Sequence, residues 1–255
     1  MAFSTIQFHP GPRVATIVLN RPPLNIINLT MLDELDAVWS EIEALRAQVA
    51  VISGSGDRAF SAGVDVADHA PEKIERVLET FHRVVLRIRR SDCISIAAIH
   101  GHTLGGGAEL ALMCDMIIAA ENAKIGQPEI SLGCYPPIAI AYLPGAIGFH
   151  KATEMVLLGE PITAADAERL GMINKVVPEQ RLNEEVDACV DKLLTKSSAV
   201  LTLAKRALRE GTDRHFEEAL DRSQELYFRE LTRTEDMVEG MNAFLERRPP
   251  IWKNR

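Results

Sequence analysis

The chain has 255 residues, of which 47% are apolar and 25% charged, and its formal net charge is −8. These globular proportions exclude disordered, collagen-like and fibrous classes, and the acidic balance disfavours non-specific nucleic-acid binding. Aromatics are only 5%, which leaves few platforms for stacking bases.

Residues 13–20 (RVATIVLN) are rich in β-branched side chains and predict a strand that stops at Arg21-Pro22-Pro23. Thr30 is the candidate cap of a helix reaching Leu45, with Leu32, Leu35, Trp39 and Ile42 on one face. Residues 49–53 predict a short buried strand ended by Gly54-Ser55-Gly56. Residues 71–90 carry Ile74, Val77, Leu78, Phe81, Val84, Val85 and Ile88 at helical spacing. Residues 94–100 form a near-continuous apolar strand, as expected where both faces of a sheet are covered. A helix over residues 108–114 and a strand over 116–120 follow. This rhythm predicts an α/β fold with crossover helices. From about Phe149 the pattern is helical almost throughout, with a strand-like piece at 173–177. Helices are predicted near 163–170, 182–194, 199–209, 215–229 and 234–247. The organisation is a core over residues 1–190 and a helical region over 191–255.

No apolar run approaches the roughly 18 residues a membrane helix needs. Residues 1–13 lack an apolar signal core behind a basic start. Cys93, Cys114, Cys134 and Cys189 form no C-x-x-C pair and predict reduced, partly buried thiols in a cytoplasmic protein. There is no phosphate-binding G-x-x-x-x-G-K-[ST], no G-x-G-x-x-G after a strand, no H-E-x-x-H and no G-x-S-x-G. His100 and His102 have no further ligands at suggestive spacing, so no metal is expected; one imidazole buried and one exposed at a strand end explains them.

The most informative stretch is Gly105-Gly106-Gly107-Ala108-Glu109-Leu110, three glycines opening an apolar helix. Glycine lets backbone approach a ligand, and a helix start offers unpaired N–H groups and partial positive charge. The pair suits an anionic oxygen, either a phosphate or the enolate oxygen of a thioester, and equally suits tight packing of helix on strand. Glu109 lies in that apolar start, where a carboxylate is costly unless paired or used, although the helix dipole also favours it. Glu129 follows Gly126-Gln127-Pro128 in a turn and, taken alone, reads first as an ordinary exposed turn residue. Two carboxylates converging from separate elements can divide acid and base roles, because proximity raises one pKa while the other stays ionised. Phe60-Ser61-Ala62-Gly63-Val64-Asp65 is a second loop able to present a backbone N–H, or a plain turn.

Together these pieces resemble the crotonase family, the enoyl-CoA hydratase/isomerase superfamily. The likeness runs in order through Leu19-Asn20-Arg21-Pro22-Pro23, Phe60-Ser61-Ala62-Gly63-Val64-Asp65, His100 to Leu110, Cys114-Asp115, Gly126-Gln127-Pro128-Glu129-Ile130 and Leu132-Gly133. It continues through Ala164-Ala165-Asp166-Ala167, Gly171-Met172-Ile173, Val176-Val177-Pro178 and Gly240 to Glu246. The resemblance implies a crotonase-like spiral of β-β-α turns followed by a C-terminal helical trimerisation region. It implies a homotrimer or homohexamer acting on an acyl-CoA thioester, with no cofactor beyond the coenzyme A of the substrate and no nucleic-acid or membrane partner.

It further implies an oxyanion hole from the backbone N–H groups of Val64 and Gly106. Glu129 would move the carbon-bound proton, while Glu109 orients and activates water. Ala62, Asp65, Tyr135 and Pro136 would border the substrate, and Phe244 and Lys253 match positions that reach the CoA nucleotide of a neighbouring subunit. Chain enoyl-CoA hydratases usually continue after Leu132-Gly133 with a proline and several glycines; here the chain reads Cys134-Tyr135-Pro136-Pro137-Ile138. That departure, with Ala62 to His69, resembles the cyclohexa-1,5-diene-1-carbonyl-CoA hydratases. The resemblance also admits a double-bond isomerase, or a family member that binds acyl-CoA or RNA without catalysis. The acidic balance and the intact glutamates weigh against these last two.

Overall fold

The computed structural model describes residues 3–69 and 73–254. The chain enters through β1 (Ile6–His9) and β2 (Val14–Leu19), followed by α1 (Leu29–Leu45), β3 (Val49–Gly54) and β4 (Ala59–Ser61). Next come α2 (Ile74–Arg90), β5 (Ile94–Ile99), β6 (His102–Leu104), α3 (Gly106–Leu112), β7 (Met116–Ala120) and β8 (Lys124–Gly126). The remainder is α4 (Pro137–Ile147), α5 (Phe149–Leu158), β9 (Ile162–Thr163), α6 (Ala164–Arg169), β10 (Lys175–Val177), α7 (Leu182–Leu194), α8 (Ser198–Glu210), α9 (Asp213–Arg229) and α10 (Glu235–Leu245).

The strands form two sheets, one ordered β1-β2-β3-β5-β7-β10 and one ordered β4-β6-β8-β9. Pairing is parallel except at β1 and β9. The consecutive pairs β3/β4, β5/β6 and β7/β8 each give one strand to each sheet. The chain therefore advances as stacked β-β-α turns, the spiral implied by the resemblance. Strand rhythm alone predicts crossover helices but not the second sheet, whose strands of two or three residues are too short to show alternation.

The large sheet is covered on both faces, which explains its continuous apolar strands. Val49, Val51, Ile94, Ile96, Ala98, Ile118 and Ala120 join Leu182, Val186 and Val190 of α7 in one core. Their neighbours Ala50, Ile52, Ala97, Ile99, Ile117 and Ala119 join α1, α2 and α3 in the main core. The period-two alternation of a strand divides these residues between the two faces. All seven apolar residues read at helical spacing on α2 are buried. The expected start of that helix at Pro71 lies outside the described residues.

Several boundaries move. The cap of α1 is Asn28, whose side chain accepts from the Met31 N–H, and not Thr30, which lies inside the helix. Helix α3 begins at Gly106, so two of the three glycines are helical. The late strand is Lys175–Val177 and omits Ile173 and Asn174. Cys93, Cys114 and Cys134 are buried, Cys189 is half-buried, and all four are unpaired. His100 is buried and His102 exposed. No helix among the described residues is long and apolar enough to cross a membrane.

Candidate active site

A cavity of about 770 Å³ opens between the spiral and the C-terminal helices. Ala62, Val64, Asp65, Gly106, Glu109, Glu129, Tyr135, Pro136 and Phe244 all line it. The sequence thus places nine of its ten candidates at one site. Lys253 is the exception. Its Nζ pairs with Glu235 at 2.7 Å, its backbone N–H donates to Asp236, and it does not line this chain's cavity. Phe244 lines the cavity of its own chain, whereas the resemblance implied a role toward a neighbouring subunit.

Two backbone segments face each other at one end. Ile27 N–H donates to Gly63 O at 2.9 Å, and Asp65 N–H donates to Ile27 O at 2.8 Å. This parallel bridge uses the groups flanking Val64, so Val64's own N–H turns away from Ile27 and has no backbone acceptor among the described residues. Gly106 opens α3, where the first N–H groups lack intrahelical partners. The loops are close: a Cβ added at Gly63 would lie 3.9 Å from Gly106 N, and one at Gly106 would lie 2.6 Å from Val64 Cγ2. Gly105, between the two loops and Glu129, also requires glycine. Its φ is +52°, and a Cβ there would strike Glu129 Oε1.

Glu109 is 4% exposed, within a helix buried along its whole length. Its Oε1 accepts from the Ala139 N–H at 2.9 Å. That donor belongs to the first turn of α4, which Pro137 opens at the position where proline's missing N–H costs nothing. The Pro136-Pro137 segment thereby starts a helix whose N-terminal N–H groups hold Glu109. Burial pushes the Glu109 carboxyl above the ordinary range, and the Ala139 and Ile138 N–H groups partly offset this.

Glu129 sits in the 3₁₀ turn Pro128–Leu132. Its Oε2 is sealed from solvent with no hydrogen-bond partner among the described residues. Burial raises its pKa first, and the nearby Glu109 charge raises it further. The two carboxyls are therefore differentiated. Glu109 has donors that favour its ionised form, and Glu129 is the one better able to keep a proton.

Other groups complete the cavity. Arg21 Nη1 pairs with Asp65 at 3.1 Å. Tyr135 donates its hydroxyl to Ser223 O at 2.8 Å and packs edge-on against Tyr227, with centroids 5.0 Å apart. Tyr227, Phe81 and the Ala139 N–H escaped sequence reasoning. Phe81 reads as one core position among seven, and Tyr227 lies in a charged helical stretch without a motif. Ala139 acts through its main chain, and only Pro137 at a helix start signals it.

The sequence model described as enoyl-CoA hydratase/isomerase matches residues 11–255. The chain is 37% identical, over the full length of both, to a probable enoyl-CoA hydratase of Rhizobium meliloti (strain 1021). It is 34% identical to a crotonyl-CoA hydratase of Syntrophomonas wolfei subsp. wolfei, covering 97% of each protein. The fold matches the crystal structure of an enoyl-CoA hydratase from Mycobacterium avium subsp. paratuberculosis K-10 with a TM-score of 0.89 at 26% identity, covering 99% of this chain and 100% of that one. The chain therefore belongs to the enoyl-CoA hydratase/isomerase family.

Proposed function

We propose that this enzyme is a hydratase that adds water to the conjugated double bond of an enoyl-CoA thioester. The observation that carries the reading is the pair of unequal carboxyls, buried Glu109 and half-buried Glu129 with its sealed Oε2, beside two backbone segments with unengaged N–H groups. In this mechanism Val64 and Gly106 donate to the thioester oxygen as it gains enolate charge. Loss of one such donor typically costs about 10²–10³ in rate. Glu109, whose ionised form the N–H groups at the start of α4 favour, removes a proton from water as its oxygen bonds to the β-carbon. Glu129 delivers a proton to the α-carbon. The enolate electron pair takes up that proton, so the elements of one water are added and no redox change occurs. Ala62 and Asp65 flank the oxyanion donors, and Tyr135 and Pro136 border the acyl group. Phe244 and Lys253 serve the CoA end, Lys253 from outside this chain's own cavity.

The narrower substrate is cyclohexa-1,5-diene-1-carbonyl-CoA. Its support is the Cys134-Tyr135-Pro136-Pro137 segment, which replaces a flexible stretch with rigid, bulky residues at the cavity wall. Residues 1–190 carry the chemistry, and residues 191–255 close the cavity and assemble a cytoplasmic homotrimer or homohexamer. The test follows enoyl-thioester absorbance and product mass with crotonyl-CoA and the cyclic dienoyl-CoA side by side, with Glu129→Gln as control. Gain of one water by the cyclic diene alone supports the narrow reading. Hydration of crotonyl-CoA instead keeps the hydratase and discards the cyclic specificity. Loss of absorbance with unchanged mass makes the enzyme an isomerase.

A further inference from the structure

The wall of the cavity beyond Glu129 is supplied by the C-terminal helical region. Tyr227 of α9 is 1% exposed and lines the cavity. Its ring packs at 74° on Tyr135, and Tyr135 is fixed by its bond to Ser223 O, one helical turn before Tyr227. Tyr135 is thus clamped by two points on one face of α9. The phenol of Tyr227 meets the Cys134 thiol. Cys134 in turn reaches Glu129 O through both its backbone N–H, at 3.2 Å, and its Sγ, at 3.5 Å. The wall is therefore tied to the same turn that presents the Glu129 carboxyl. Tyr227 belongs to one buried cluster with Ile74, Leu78, Met237 and Met241, of which Leu78 also lines the cavity, so a longer acyl chain meets close-packed side chains on this side.

We infer that Tyr227 is the specificity-determining residue that caps the acyl end of the cavity and confines the enzyme to short or flat cyclic acyl groups. The inference rests on the acyl-CoA reading above but not on the hydration step. A linear chain of ten carbons must displace the Tyr227 ring or turn back toward solvent. A four-carbon chain or a six-membered ring stops short of it.

The experiment measures binding, so it reads out whether or not water is added. Affinities for butyryl-CoA and decanoyl-CoA are determined by calorimetry for the wild type, Tyr227→Phe, Tyr227→Ala and Tyr227→Leu. One methylene of fit in an apolar pocket is worth about 10-fold or more. The decanoyl-to-butyryl affinity ratio is therefore expected to rise at least ~10-fold in Tyr227→Ala and by a smaller factor in Tyr227→Leu. Tyr227→Phe keeps the ring and is expected to keep the wild-type ratio. A general loosening of the fold weakens both ligands together and leaves the ratio alone. Circular dichroism and melting temperature verify folding, and Tyr227→Leu carries the test if Tyr227→Ala does not fold. An unchanged ratio in the folded variants overturns the inference. So does a wild type that already binds decanoyl-CoA ~10-fold more tightly than butyryl-CoA. Failure of hydration in the preceding assay, with the ratio shifting as expected, overturns the hydratase and leaves the cap standing.

Discussion

Glu109 and Glu129 are two residues of one type whose surroundings separate their roles. Desolvation raises both; the Ala139 and Ile138 N–H groups at the start of α4 restore part of the charge on Glu109, whereas Glu129 has only its own backbone N–H and is raised further by Glu109. Replacing either by glutamine keeps the volume and removes the proton exchange, which is typically worth about 10²–10⁴ in rate. Activity requires one carboxyl protonated and one ionised, so kcat/KM should fall on both sides of a maximum lying above the ordinary carboxylate range. The same shifts bear on stability. In the folded state Glu129 holds its proton to higher pH than in the unfolded chain. Between the ordinary value of 4.5 and the raised one, the folded protein binds more protons, so stability falls as pH rises through that window. Glu129→Gln should therefore slow turnover by about 10²–10⁴ and yet raise the melting temperature, more at pH 8 than at pH 5. Equal shifts at the two pH values would show that the carboxyl is not held above its ordinary range. Glu109 was legible in the sequence because a carboxylate in an apolar helix demands a reason. Glu129 was legible only through its place after Gly126-Gln127-Pro128. The Ala139 N–H that distinguishes the two was not, since every residue carries a main-chain donor and only the fold aims one.

At the scale of elements, α8 is joined to the large sheet by a buried charge cluster. Lys205 is 6% exposed, and its Nζ contacts both Asp115 and the Cys93 carbonyl at 2.5 Å. Arg209, one turn on, reaches the other Asp115 oxygen at 3.1 Å. Asp115 also accepts from the Ser95 backbone N–H and hydroxyl. The ends of β5 and β7 and the inner face of α8 are thus fixed at one point. Breaking a buried pair from one side leaves an uncompensated charge and typically costs about 3–5 kcal/mol. Arg209 remains beside Asp115, so Lys205→Met should cost about 3 kcal/mol, the lower end of that range. It should appear as a lower urea midpoint with an unchanged slope. A midpoint within error of the wild type would mean that α8 is held by its apolar contacts alone. The helix itself was legible from its periodicity, as were α2 and α7. Its inward lysine was not, because a lysine in an amphipathic helix reads as solvated until a carboxylate is known to lie beneath it.

Over the whole molecule, the large sheet was legible because strands covered on both faces need long apolar runs. The second sheet was not, because its short strands gain their stability from neighbours in the spiral rather than from their own pattern. The cavity lies where these two kinds of structure meet, and the C-terminal helices close it. Those helices also leave apolar surface unburied within the chain. Val200, Leu203 and Leu208 are 63%, 62% and 74% exposed, and with Ala204 and Ala207 they form one stripe at helical spacing along α8. Lys205, on the opposite side of that helix, faces the core, so the stripe points outward. A second set, Phe149, Leu157 and Leu158 of α5, is 60–69% exposed. An exposed apolar stripe such as that of α8 marks contact between proteins. The proposed homotrimer would use the α8 stripe, leaving the α5 residues available to pair trimers. Sedimentation velocity should therefore show the wild type as a trimer or hexamer. Leu203→Glu with Leu208→Glu should shift it toward monomer without changing the circular dichroism, since neither side chain is buried in the core of its own chain. A monomeric wild type would sink the assembly. An unchanged trimer in the double variant would move the contact from α8 to the other exposed apolar set on α5.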